Sequence, residues 1–267
     1  MARNRKSGRK TWGKTHRRRN SGDRNPSVWL YGVHAVIAAL SNPARICERV
    51  LVSDEELAAH AVAAAEHHGA RVSFECVSRD DVGSVLPSGA VHQGIALLTQ
   101  PLPDPGLEAA IDRALAMNPP CILVLDQVTD PQNVGAIMRS AGAFGASAIV
   151  MQDRHAPLVT GALAKAASGG LETVDLVRET NLVRSLEALK ARDFWCIGLN
   201  GEAKRTLAEA RVTGPTTLVL GAEGSGLRRL VSETCDALAR IPQRSTIESL
   251  NVSNAAAVAL YEVTRTA

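Results

Sequence analysis

From about residue 26 onward, short apolar runs alternate with stretches of helical periodicity. VWLYGVHAVIAALSN reads as a strand end running into a helix that stops near Asn42-Pro43. RICERVLVS and ARVSFECVS read as strands, with EELAAHAVAAAEHHG between them as a helix closed by Gly69. HQGIALLTQ adds another strand. PLPDPG then breaks the pattern, and LEAAIDRALAMN forms a helix leading into a second unit. There CILVLD, SAIVM, FWCIGLN, TTLVLG and ALARIP are predicted strands, and LETVDLV an extended stretch. NVGAIMRSAGAF, GALAKAAS, LVRSLEALKAR, LRRLVSETC and SNAAAVALYEVTR are predicted helices, the last with Ser253 as its N-cap. Alternating strands and helices predict an α/β fold with a mostly parallel sheet covered on both faces. The expected organisation is an arm over 1–25, an α/β unit over 26–99, a linker and helix over 100–119, and a larger unit over 120–267.

Charge changes this picture at one end. The chain carries +3 overall, but residues 1–25 hold ten Lys/Arg against Asp23 alone, +9, which leaves −6 on the remainder. A basic, disordered arm on an acidic body points to nucleic acid, because Lys and Arg on phosphates release counterions. A merely solubilising tail has the same composition. Hydrophobic residues make up 45% and no apolar run reaches membrane-spanning length. Cys47, Cys76, Cys121, Cys196 and Cys235 are scattered, without a C-x-x-C pair, and no H-E-x-x-H occurs. The expectation is a reduced, cytoplasmic, metal-free protein with no membrane partner. Aromatics at 3% argue against base stacking on an RRM-type sheet as the main RNA contact.

Three segments carry candidate chemistry. In DPQNVGAIMRSAGAFGA, Val134, Ile137, Met138 and Ala141 form a stripe at helical spacing, while Gly135, Arg139 and Gly142 share another side. Helical glycine costs about 1 kcal/mol relative to alanine, so something approaches this helix closely. The alternative is a solvent-facing arginine beside incidental glycines. GAEGSGL follows the strand TTLVL, where α/β proteins place ligand loops. It spells neither G-x-G-x-x-G nor a P-loop, and Glu223 would repel phosphate, so a ligand with hydroxyls, amines or a positive centre suits it better. An ordinary tight turn has the same composition. In SLNVSNAAAVAL, Ser249, Asn251, Ser253 and Asn254 crowd one helix start, more polar side chains than a single cap uses.

Taken together, DPQNVGAIMRSA, LVLGAEGSGL and SLNVSNAAAVAL resemble, in order and spacing, the three motifs of the SpoU (TrmH) family of RNA ribose 2′-O-methyltransferases. YGVHAVIAAL and VHQGIAL resemble the substrate-binding domain of the subfamily that methylates a guanosine of 23S ribosomal RNA. The resemblance covers nearly all but the arm. It implies a trefoil-knotted catalytic domain, S-adenosylmethionine as methyl donor, no metal, a homodimer, and an RNA substrate, ribosomal RNA ahead of tRNA. It further implies cofactor contacts at Gly221, Ile241 and Leu250, with Leu199 and Asn200 beside them. For catalysis or RNA engagement it implicates Asn133, Arg139, Glu223, Ser249 and Asn251. One stretch departs from the family: Gln243-Arg244-Ser245-Thr246-Ile247-Glu248 stands where relatives often have small apolar residues and glycine, a change expected to affect cofactor affinity or pocket shape. Two other classes fit parts of the sequence: an RNA-binding assembly factor with an inactive site, and a nucleotide-dependent oxidoreductase. The near-complete polar set across the motifs disfavours the first, and the missing G-x-G-x-x-G disfavours the second.

The arm generates a direct prediction. Deleting residues 1–25 is expected to weaken RNA binding and to flatten its dependence on salt, measured by filter binding or anisotropy across a salt series. An unchanged salt slope refutes the assignment.

Overall fold

The structure, a computed structural model, describes residues 27–67, 69, 72–154, 156–211, 213–244 and 249–265. The basic arm and residues 245–248 of the atypical stretch lie outside the described residues. The first elements are β1 (Val28–Tyr31), α1 (Val33–Leu40), β2 (Cys47–Val52), α2 (Glu55–Glu66), β3 (Ser73–Cys76), α3 (Arg79–Ser84) and β4 (Ile95–Thr99). They build a four-stranded sheet in the order β1-β4-β2-β3, in which β4 runs antiparallel to both β1 and β2.

After α4 (Leu107–Leu115) come β5 (Cys121–Asp126), α5 (Pro131–Ala143), β6 (Ala148–Gln152), α6 (Gly161–Ala167), α7 (Gly170–Thr173) and β7 (Asp175–Glu179). The chain continues through α8 (Leu182–Lys190), β8 (Trp195–Leu199), β9 (Arg205–Thr206) and α9 (Leu207–Ala210). It closes with β10 (Thr216–Gly221), α10 (Arg229–Thr234), β11 (Ala237–Arg240) and α11 (Val252–Thr264). The second sheet has the order β7-β6-β5-β10-β8-β11-β9, and all its pairings are parallel.

Strand periodicity separates the two faces of this sheet. Leu123, Leu125, Ile149, Met151, Leu218 and Leu220 join a core with Val134, Ile137, Met138 and Ala141 of α5 and with buried residues of α6 and α11. Ile122, Val124, Val150 and Val219 join a second core with Ala110 and Ile111 of α4 and with Leu182 and Leu186 of α8. The stripe read from the sequence on α5 is therefore the buried one, and each of its four members is fully buried.

Gly135 of α5 faces the protein itself. A Cβ on Gly135 would lie 2.5 Å from the carbonyl oxygen of Leu163 and 2.6 Å from Cβ of Ala166, so α6 packs backbone against backbone there. One on Gly170 would lie 2.6 Å from the carbonyl oxygen of Met138. Close approach is correct as an expectation, and α6 and α7 make it.

The two sheets are joined by a buried ion pair. Arg45 Nη2 and Nε donate to Glu172 Oε1 and Oε2 at 2.5 and 3.1 Å, Arg45 Nη1 donates to the Gln100 carbonyl, and Asn42 donates to Glu172 at 2.7 Å. Both charged side chains are almost wholly removed from solvent. A buried pair of this kind fixes geometry more than it adds stability.

Some sequence expectations need correction. LETVDLV does not run extended throughout: Gly170–Thr173 forms the short α7 and the strand starts at Asp175. Ser253 is not the N-cap of the last helix. Asn251 is, with Oδ1 accepting from the backbone N–H of Ser253 and Asn254, so the helix begins at Val252 and Ser253 sits inside its first turn. The helices α3 and α9 are additional, and each opens with a capping box, Ser78 with Asp81 and Thr206 with Glu209.

Packing at Gly135 yields a prediction. Gly135→Ala gains helix propensity of about 1 kcal/mol, but its methyl meets backbone that cannot move cheaply, and overpacking costs about 1–3 kcal/mol. The expected result is a net loss of stability in urea denaturation. Gly142→Ala, whose nearest neighbour is the rotatable Thr173 hydroxyl at 3.0 Å, serves as the near-neutral comparison.

Candidate active site

The three motif segments meet at the carboxyl ends of the central strands. Asp130 caps α5 by accepting from the N–H groups of Gln132 and Asn133, with Pro131 in the first turn, so Asn133 is held rigidly at the helix start. GAEGSGL leaves β10 and reverses at once: Gly226 N donates to the Ala222 carbonyl at 2.9 Å, and Gly224 and Gly226 have φ of 80° and 67°. A Cβ on Gly221 would lie 2.2 Å from the carbonyl carbon of Gly226, so only glycine permits this fold-back.

Glu223 sits in that loop and gathers the others. Its Oε1 accepts from Asn251 Nδ2 at 2.6 Å, from Val252 N at 3.3 Å and, more weakly, from Asn133 Nδ2 at 3.4 Å. Asn251 Nδ2 also donates to Asn133 Oδ1 at 3.0 Å. The orientation of the Asn251 amide follows from its other end, where Oδ1 accepts from the N–H groups of α11. One carboxylate oxygen and two amides thus tie together residues 133, 223 and 251.

Beside this cluster lies a cavity of about 490 Å3, within the size range of small-molecule sites. It opens at the ends of β8, β10 and β11, where parallel sheets bind ligands. Leu199, Asn200, Gly221, Ile241 and Leu250 all line it, as do Glu223 and Ser249. Gln243, from the stretch that departs from the family, lines it too. Asn133, Asn251 and Arg139 do not. Arg139 lies exposed on α5, and no described residue pairs with it.

The sequence reading did not single out Asp126 and Arg228. Asp126 ends β5 opposite Gly221 and is fully buried; its Oδ2 accepts from the backbone N–H of Arg228 at 2.8 Å and its Oδ1 from Arg228 Nε at 2.6 Å. Arg228 Nη2 also reaches Gln152 Oε1 at 3.4 Å. These bonds anchor the far end of the glycine loop. The available signal was a carboxylate closing the otherwise apolar run CILVLD, since a buried charge requires a partner.

Three of the thiols are poor nucleophiles. Burial pushes Cys121, Cys196 and Cys235 up to about 12. Among the described residues no group of three or more His, Cys, Asp or Glu could hold a metal ion. No described helix is long and apolar enough to cross a membrane.

The chain is similar to known proteins over most of its length. Residues 120–261 match the SpoU rRNA Methylase family, and residues 29–105 match the RNA 2′-O ribose methyltransferase substrate-binding family. The 23S rRNA (guanosine-2′-O-)-methyltransferase RlmB of Vibrio cholerae is 40% identical over 239 residues, covering 88% of this chain and 96% of the relative. The protein of that name from Yersinia pestis is 40% identical over 242 residues, with the same coverage. Among solved structures, the SpoU methyltransferase AviRb from Streptomyces viridochromogenes, in complex with AdoMet, superposes with a TM-score of 0.73 at 22% identity over 90% of each chain, a likeness of fold. On the family match and on relatives of this similarity, the chain belongs to the SpoU rRNA methylase family.

Proposed function

We propose that this protein transfers a methyl group from S-adenosylmethionine to the ribose 2′-hydroxyl of a guanosine in 23S ribosomal RNA. The observation that carries the reading is the hydrogen-bonded cluster of Asn133, Glu223 and Asn251 at the lip of a strand-end cavity. Its chemical support is the relatives' named activity, at 40% identity over nearly their whole length. In this reading residues 26–99 bind RNA and residues 120–267 carry out the transfer.

The cavity fits the methyl donor by size and by its donor set. Leu199, Asn200, Gly221, Ile241 and Leu250 would hold it, and the carboxylates of Glu202 and Glu223 suit a ligand with a positive centre. When bound, S-adenosylmethionine supplies an electrophilic methyl on a sulfonium. The protein's task is alignment, which contributes roughly 7–11 kcal/mol, and management of the hydroxyl proton. A guanidinium stays protonated at neutral pH and is a poor base, so Arg139 serves to stabilise developing oxyanion charge or to hold an RNA phosphate. Glu223 Oε2 receives no hydrogen bond from a described residue, which leaves it the acceptor for the ribose proton. Ser249 lines the cavity and is assigned to substrate engagement.

Two features of architecture belong to the same proposal. A trefoil knot is supported by the strand order and by α11, which returns after β11 to pack on α5 and β10. A homodimer is supported by Val258 and Tyr261 of α11, which stay 45% and 57% exposed beside Phe144, its ring edge-to-face with Tyr261 at 6.0 Å.

Mapping 2′-O-methylation in ribosomal RNA from cells with and without the gene tests the activity; an unchanged map sinks it. In purified protein, Arg139→Ala is expected to lower turnover by about 10²–10³ while leaving S-adenosylmethionine binding intact. Glu223→Gln is expected to lose about 10²–10⁴ in turnover. Wild-type turnover by either variant removes that residue from the mechanism.

Asp126→Asn tests the anchor behind the glycine loop. Exchanging the buried carboxylate for an amide weakens the charge-assisted bonds to Arg228, worth about 1.5 kcal/mol with that arginine half exposed. S-adenosylmethionine affinity by calorimetry is expected to fall about tenfold, and unaltered affinity refutes the anchoring role.

A further inference from the structure

A second large recess, of about 560 Å3, lies away from the cavity just described, among the linker, the loop after β6, α7 and β7. Its lining includes Leu102, Val159, Leu171 and Leu176, with Leu158 77% exposed. Four carboxylates, Asp104, Asp153, Glu172 and Asp175, line it against two guanidiniums, Arg45 and Arg178. Arg45 is spent on Glu172, and Arg178 Nη2 donates to the Pro157 carbonyl. Asp175 Oδ1 accepts from Arg113 at 2.6 Å, but its Oδ2 is buried with no hydrogen-bond donor among the described residues. Burial and the Asp104 carboxylate raise the pKa of Asp175 against the pull of Arg113, and the same two causes raise that of neighbouring Glu179. An acidic, apolar groove repels RNA phosphate and suits a cationic peptide with an aromatic side chain.

Such a peptide belongs to this chain. Ser27 and Val28 line the groove, so residues 1–26 begin at its edge. They carry ten Lys/Arg against Asp23, and Trp12 is their one Phe, Tyr or Trp residue. The chain from Trp12 to Ser27 extends at most about 50 Å, ample to double back.

We propose that the groove is the docking site of the chain's own basic arm, residues 1–25, with Trp12 against the leucines and Lys/Arg on Asp104 and Asp153. RNA and the groove then compete for the same cations, so the body withholds the arm until polyanion arrives. Docking does not depend on the methyl-transfer reading; only the competition by RNA rests on it.

Photo-cross-linking of the full chain tests this, with p-benzoylphenylalanine in place of Trp12 and adducts mapped by mass spectrometry. Without RNA, adducts are expected within residues 102–104 and 153–176. The double substitution Asp153→Lys, Leu158→Lys changes two exposed residues, with folding checked by thermal melting. It is expected to cut the yield at least about fivefold, as does raised salt. Adducts scattered over the surface, no adducts, or a yield indifferent to the double substitution would falsify docking. Adducts joining heavy to light chains in an isotopically mixed sample place the arm on a second copy and overturn the intramolecular assignment. A ribosomal RNA fragment is expected to suppress the adducts, and an unchanged yield in its presence overturns the competition while leaving the docking result standing.

Discussion

One carboxylate oxygen, Glu223 Oε1, holds together the starts of two helices and the loop between them in space. Asn133, Glu223 and Asn251 are far apart in the chain, yet their side chains bond directly at 2.6–3.4 Å. Each is fixed from behind by its own local chemistry. Asp130 caps the helix under Asn133, Gly221 lets the loop fold back beneath Glu223, and Asn251 is itself the cap of α11. The far end of the loop is held by Asp126, which is possible because β5 and β10 pair with Asp126 opposite Gly221. A shift of register between those strands would separate the loop from its anchor.

Such convergence requires rigid supports, and α5 shows how they arise. It is crossed by α6 at Gly135 and by α7 at Met138, where Gly170 permits contact with the main chain. Backbone-to-backbone packing leaves fewer rotamers to choose between than packing through long side chains, so the helix start is located by main-chain geometry. A side chain carried at that helix start, such as Asn133, inherits the fixed position. At the junction of the two sheets the same result is reached differently, through the buried Arg45–Glu172 pair, whose bidentate geometry sets orientation.

The alternation of strands and helices, the buried stripe of α5 and the lining Gly221, Ile241 and Leu250 were all legible in the sequence. Local periodicity encodes the first two; the three residues were singled out by the family resemblance, and the structure sets them on one cavity wall. What escaped depends on partners distant in the chain. Asp126 reads as the end of a strand until Arg228 is seen beside it, and Glu172 as a surface residue until Arg45 and Asn42 close on it. The misplaced cap has a subtler cause: Ser253 and Asn251 are both good N-caps, and their order is decided by Glu223, which binds the Asn251 amide and the Val252 N–H. Tertiary contact, not propensity, chose the helix start.

Arg139 is the residue on which that contrast turns. It shares α5 with Asn133, six residues on, hence about 9 Å further along the helix axis, and it does not line the cavity. No described acid pairs with it, although Arg45, Arg113, Arg192, Arg211, Arg228, Arg229 and Arg265 all have such partners. Its neighbours Ala136, Gly142 and Ala143 are small, so access to the guanidinium is unobstructed. A cation left exposed beside small residues, on the helix that also carries Asn133 of the carboxylate hub, is open to an anion that arrives from outside. Under the methyl-transfer proposal, the anions of RNA that could meet it are the phosphates and the oxyanion formed as a ribose hydroxyl reacts. On the proposed reading, Arg139 serves the substrate side of the site and Glu223 the protein side, with the reacting hydroxyl between them.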